Sequence, residues 1–271
     1  MKKIYLLSLA LIMSSWVMGQ SVSKGFKAFE KNDYATAKSI FSSVLAEDEG
    51  DVAANFGMSR YYGISATQEK NKEKALEYLE KAEANYPFDD AKAQGKYIKL
   101  GISQVEMETR REQIEKSILE DAKKANTVAA YEEFLGRFPE SKVVMTATNY
   151  RNKVAYANAL KAGSVAALDA YIEKYPDAYE VTKAVPTRNK MAAKVALETN
   201  TEAGFQHFLE HYPDAPQAPQ MDQRLNAVAF ESAKAVGTAQ AFEAYIQNYP
   251  ESIFLGQAKE KLDWLKSKEG N

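Results

Sequence analysis

The side chains best suited to chemistry in this 271-residue chain are its two histidines. His207 and His211 stand i, i+4, so on a helix they share one face, with Glu210 beside them. That spacing suits a transition metal. No glutamate occupies the HExxH position, however, and no third ligand is evident. Two imidazoles alone fall short of the ligand count a stable site requires. Cysteine is absent, which excludes disulfides, thiolate metal sites, iron–sulfur clusters, a cysteine nucleophile and a lipid anchor on cysteine. The chain carries no phosphate-cradling glycine loop, no GxSxG elbow and no recognisable carboxylate pair. The expectation is a protein with no catalytic residue, no metal set and no cofactor: not an enzyme.

Composition bounds the class of protein. Apolar residues make up 45% of the chain and charged ones 27%, with a formal net charge of −2. That balance describes a globular protein, and it lacks the basic excess of a dedicated nucleic-acid binder. Lys2 and Lys3, then the apolar run from Ile4 to Met13, then Val17-Met18-Gly19, follow the order of an export signal. Ser14 and Ser15 break the run well short of a membrane span, which takes about 20 apolar residues. Residues 1–19 are expected to be a signal peptide cut near Gly19-Gln20. Removing its two lysines leaves 33 basic residues against 37 acidic ones. The mature chain is expected to be periplasmic or secreted, with no transmembrane segment.

The elements that must position any site come from an internal repeat. YEEFLGRFP at 131–139, LDAYIEKYP at 168–176, FQHFLEHYP at 205–213 and FEAYIQNYP at 242–250 align without gaps. Their prolines, Pro139, Pro176, Pro213 and Pro250, are each 37 residues apart. Twelve residues ahead of each proline stands a hydroxyl: Thr127, Ser164, Thr201 and Thr238. Such residues cap helix N-termini by accepting from an unpaired backbone N–H. Before them come Asn126, Gly163, Asn200 and Gly237, which tolerate the left-handed conformation that ends a helix. One helix therefore stops and the next starts within two residues.

Within each first helix the apolar positions fall at intervals of 3, 1 and 3, as in Tyr131, Phe134, Leu135 and Phe138. That is one helical face, and proline ends it. A second helix follows, with Val144, Ala147, Val154, Ala155 and Ala159 in the first copy and Leu255, Ala258, Leu262 and Leu265 in the last. Each unit reads as an antiparallel helical hairpin. Shifting the register back 37 residues predicts a degenerate hairpin over 89–126, with Ile102 replacing the proline and a capping box of Ser103 and Glu106. Pro216 and Pro219 fall at a helix start, where proline is tolerated. Pro186 falls mid-helix, which predicts a kink or a late start there. Trp264 and Leu265 are expected to seal the last hairpin, ahead of a polar tail over 266–271. Around Glu106 to Lys124, alternating charge predicts a solvated helix face.

Upstream, Gly25, Ala28, Asn32-Asp33-Tyr34, Ala37, Phe41 and Leu45 resemble the tetratricopeptide repeat signature. A second copy runs from about 52 to 87, opened by Phe56-Gly57 and closed by Ala75, Leu79, Ala82 and Pro87, with a longer loop around Ser65 to Lys72. The 37-residue units over 127–271 look like divergent relatives. Their helix–Tyr–Pro–helix transitions are similar to those of periplasmic tetratricopeptide proteins of outer-membrane assembly and the Tol system. They depart from the family by carrying Thr or Ser for a small Ala, and by exceeding its usual ~34 residues.

The resemblance implies an all-α fold, an α-solenoid of antiparallel hairpins, with two hairpins over 20–88. It also implies a concave groove lined by Phe26, Phe29, Met58, Tyr61 and Tyr62, open to a protein or peptide partner. The competing expectation is that these five simply pack between hairpins, as large apolar side chains usually do. Independently, a lone hairpin cannot bury its apolar face, so such units stack. The leading functional expectation is an exported scaffold binding a protein or peptide of the cell envelope. The alternative is a groove for a glycan or peptidoglycan fragment.

Overall fold

The computed structural model describes residues 22–64 and 66–269. The expected signal peptide and its cleavage site, Ser65 of the long loop, and Gly270-Asn271 lie outside the described residues. Fourteen helices and no strand occur among the described residues. They are α1 (22–30), α2 (Tyr34–Glu47), α3 (Val52–Gly63), α4 (Lys72–Asn85), α5 (Ala91–Ile98), α6 (Gln104–Ala125) and α7 (Val128–Arg137). There follow α8 (Val144–Ala162), α9 (Val165–Lys174), α10 (Val181–Thr199), α11 (Glu202–His211), α12 (Ala218–Val236), α13 (Ala239–Asn248) and α14 (Leu255–Glu269). The chain forms two compact units that divide between Arg151 and Asn152, within α8. No described helix is long and apolar enough to cross a membrane.

The repeated hydroxyls make the expected caps. Thr127, Ser164, Thr201 and Thr238 each accept from the backbone N–H three residues on, at 3.1–3.2 Å. Asn126, Gly163, Asn200 and Gly237 all have positive φ. Ser103 likewise caps α6, accepting from the Glu106 N–H at 3.2 Å. These are strong local signals because each needs only one side chain and one bond, and a cap of this kind contributes about 1 kcal/mol.

In the second unit the first helix of each copy buries Leu168 and Tyr171, Phe205 and Phe208, or Phe242 and Tyr245. Alanines of α10 (Ala192, Ala193, Ala196) pack on the α11 aromatics, while Ala229 and Ala233 of α12 pack with Phe230 on those of α13. Small residues there let the helices approach closely. Successive hairpins are also tied by a repeated tyrosine. Tyr212 donates to Asp169 Oδ2 at 2.8 Å, and one period later Tyr249 donates to Glu202 at 3.4 Å and accepts from Gln206 at 3.5 Å. Asp169 and Gln206 occupy the same repeat column.

Burial, and then the hydrogen bond to Asp169, push the Tyr212 hydroxyl up to about 12 from its ordinary value near 10. The folded state therefore holds this proton more tightly than the unfolded chain does. Its stabilising contribution is complete below about pH 10 and is lost as the pH rises towards about 12, amounting to at most ~3 kcal/mol. Chemical denaturation at pH 9 and pH 11.5 should show a smaller alkaline loss for Tyr212→Phe than for the natural chain. Equal losses would remove Tyr212 as a contributor.

Three expectations need correction, the first in its late-start alternative alone. Pro186 causes no late start: α10 runs from Val181 to Thr199 with the proline inside it. Its start lies five residues after Pro176, the same offset as α8, α12 and α14 from their prolines. The turn thus decides the start. Pro186 and Thr182, whose carbonyl it leaves without a helical donor, are both exposed, so water can serve that carbonyl. Pro186→Ala should raise stability in urea by about 1–2 kcal/mol, the helix gain less the looser unfolded chain.

Second, Trp264 does not seal the last hairpin. It is 50% exposed, with Lys261 Nζ 3.9 Å from the ring centroid. Leu262 and Leu265 pack inward, and the ~100° step per residue carries position 264 off that stripe. Third, the α6 face is only partly solvated. Glu115 is buried, one period before the buried Asn152, Asn189 and Asn226. Asn226 donates to the Asp222 carbonyl at 2.7 Å, and its own carbonyl accepts from Tyr245 at 3.2 Å.

Candidate functional site

In the first unit Phe41 of α2 sits between α1 and α3, fully buried, with Phe26 5.1 Å away ring to ring. This interlock sets the place of the five groove residues. Phe26, Phe29, Met58, Tyr61 and Tyr62 are all buried, at 2–7% exposure. They form no open apolar strip, and packing is the role their burial supports. Tyr61 and Tyr62 meet edge to face, and Tyr62 stacks on Tyr78 of α4.

What lies over Phe26 and Phe29 is a cation. The Arg60 guanidinium of α3 stands 4.4 Å from the Phe29 ring centroid and 6.0 Å from that of Phe26. A cation gains from a ring face, more so when partly desolvated. Next to it, Arg110 of α6 lies against the C-terminal turn of α3. Its Nη2 donates to the Ser59 carbonyl at 2.6 Å, and its Nε and Nη1 reach Ser59 Oγ and Gln113 Oε1 at 3.4 Å. Gly63 makes room for it: a Cβ there would fall 1.7 Å from Arg110 Nη2. The negative end of the α3 dipole suits a cation at this place.

Both arginines border a cleft of about 350 Å³ whose walls include Phe29, Phe56, Thr109, Gln113 and Glu106. Burial lowers the Arg60 pKa, with Glu30 and Glu106 acting against that from a distance. Burial, and then the like charge of Arg60, bring Arg110 down to about 10. Both remain cations at neutral pH. Among the described residues neither has a carboxylate in ion-pair contact, whereas Arg111 pairs with Glu83 and Arg137 with Glu73. Two adjacent guanidiniums turned to one cleft can hold an oxyanion through several charge-assisted N–H···O bonds.

Sequence reading missed this pair. Arg60 and Arg110 are fifty positions apart, and no local spacing joins them. The histidine pair is elsewhere: His207 and His211 are exposed, their ring centroids 4.0 Å apart, with His211 Nδ1 2.9 Å from the His207 carbonyl. No group of three or more metal-ligating side chains occurs among the described residues. No family model matches the chain, and no curated protein matches it.

Proposed function

We propose that this chain is an exported α-solenoid of tetratricopeptide-like hairpins that binds a protein or peptide partner of the cell envelope, without making or breaking bonds. The observation that carries the reading is the recurrence of one tether. Tyr212 and Tyr249, 37 residues apart, both reach back to the same repeat column of the preceding hairpin, Asp169 and Gln206. Hairpins held at a constant spacing build an extended surface, and such surfaces are what repeat proteins offer to partners. The basic, apolar and small-residue order of positions 1–19 supports export.

Two measurements test the proposal. Mass spectrometry of the chain from a periplasmic fraction should place the mature N-terminus at Gln20. A photo-crosslinking residue at Thr109, on the cleft wall, should capture a discrete envelope protein in living cells. A chain that stays in the cytoplasm with residues 1–19 intact, or that yields no discrete adduct, would overturn it.

Glycan binding is the second reading, favoured by one observation. Half-exposed Trp264 borders a cleft of about 540 Å³ that also presents Gln257, Glu260 and Lys261, an aromatic face amid hydrogen-bonding groups. After cleavage at Gly19 it is the sole tryptophan, so its fluorescence reports directly on added peptidoglycan fragments. A saturable change would favour this reading.

A further inference from the structure

We infer that Arg60 and Arg110 form a receptor for a carboxylate of an acidic peptide segment, seated in the cleft between α1, α3 and α6. The inference rests on the binding reading above and names the chemistry of the contact. Partly burying a guanidinium with no carboxylate in contact is unfavourable, and doing so twice in one cleft more so; Glu30 and Glu106 act on Arg60 only from a distance. Arg110 is offset by the Ser59 carbonyl at the end of α3. Arg60 has only the faces of Phe26 and Phe29, and among the described residues it makes no hydrogen bond or ion pair. Its N–H groups are therefore the donors left unused at the cleft.

The surroundings select among anions. Glu106 stands on the same wall, and the cleft lies at the C-terminal, negative end of α3. Both repel a dianion more strongly than a monoanion, which favours carboxylate over phosphate. Thr109 and Gln113 add neutral hydrogen-bonding groups beside it. A planar carboxylate also matches the guanidinium fork.

The test uses the full mature chain and fluorescent octapeptides followed by anisotropy. One alternates glutamate and alanine with an amidated C-terminus, a second replaces glutamate by glutamine with a free C-terminus, and a third is the amidated glutamine peptide. The glutamate peptide should bind and weaken with salt. Binding of the free-acid glutamine peptide alone would identify a chain-terminal carboxylate as the source, with the same chemistry. Arg60→Gln should weaken binding about tenfold, as expected for losing a charge-assisted hydrogen bond, while Arg60→Lys should retain part of it. Glu106→Gln should strengthen binding several-fold by removing the repelling charge.

The inference is overturned if the amidated glutamine peptide binds as well as the acids. It is equally overturned if a folded Arg60→Gln binds unchanged, or if inorganic phosphate binds where the acids do not. Should Arg60→Gln fail to fold, Glu106→Gln decides: unchanged or weaker binding sinks the idea. Envelope crosslinks that survive Arg60→Gln would remove this receptor and leave the scaffold reading standing. Acidic peptides that bind a chain with no envelope partner would do the reverse.

Discussion

Gly57→Ala is expected to cost the first unit about 2–3 kcal/mol, a large loss for one added methyl group. A Cβ at Gly57 would lie 2.5–2.7 Å from three ring atoms of Phe41, and one at Gly25 only 2.6 Å from the same ring. Phe41 is fully buried between them. Its ring cannot retreat from α3 without pressing on α1, so the helices themselves must part. Helix propensity pulls the other way by about 1 kcal/mol, since alanine is the better helix former. Gly136 of α7 isolates that effect, because nothing lies within 4 Å of a Cβ built there. Gly136→Ala should therefore stabilise by about 0.5–1 kcal/mol. Opposite signs in urea unfolding are the expected result. Phe41→Leu, introduced into Gly57→Ala, should recover much of the loss, so the double-mutant cycle is strongly coupled. If Gly57→Ala stabilises as Gly136→Ala does, the glycine–phenylalanine interlock is not what spaces these helices.

The features readable in advance were those a single residue decides. Thr127, Ser164, Thr201 and Thr238 cap because each hydroxyl needs only the N–H three residues on. Asn126 and Gly163 end helices for an equally local reason. Tertiary choices were less visible. A search for apolar periodicity passes over Asn152, Asn189 and Asn226, although their spacing of 37 was present in the sequence. Asn226 is covered where Tyr245 of another helix reaches its backbone carbonyl, a contact that no local spacing announces. Hydrophobicity alone also cannot separate a ligand-facing aromatic from one that packs, which is why Phe26, Phe29, Met58, Tyr61 and Tyr62 carried both expectations until their burial favoured packing. The cationic cleft was beyond reach because Arg60 and Arg110 meet only once α6 folds onto the end of α3.

Arg111→Met is expected to destabilise the first unit by about 2–3 kcal/mol, and the reason is what the change leaves behind. Arg111 of α6 grips Glu83 of α4 with two N–H groups, the Nε bond being 3.1 Å. Its Nη1 lies 3.9 Å from Glu115 and 4.0 Å from Glu80. Methionine keeps the apolar stem against its neighbours but removes the cation that lies within 4.0 Å of all three carboxylates. The Glu115 side chain is only 9% exposed, so its charge has little recourse to water. Removing one partner of a fully buried pair costs about 3–5 kcal/mol; Arg111 is about a third exposed, and solvent screening lowers the expected figure. Glu115→Gln in the Arg111→Met background should restore part of the loss, because a neutral amide no longer has to be desolvated as an ion. The exposed i, i+4 pair of Lys81 and Glu77, 2.8 Å apart, is the comparison: Lys81→Met should change stability by no more than ~0.5 kcal/mol. Equal, small losses at Arg111 and Lys81 in urea unfolding at neutral pH would mean that α4 and α6 dock by apolar contact alone, with the buried carboxylate solvated by other means.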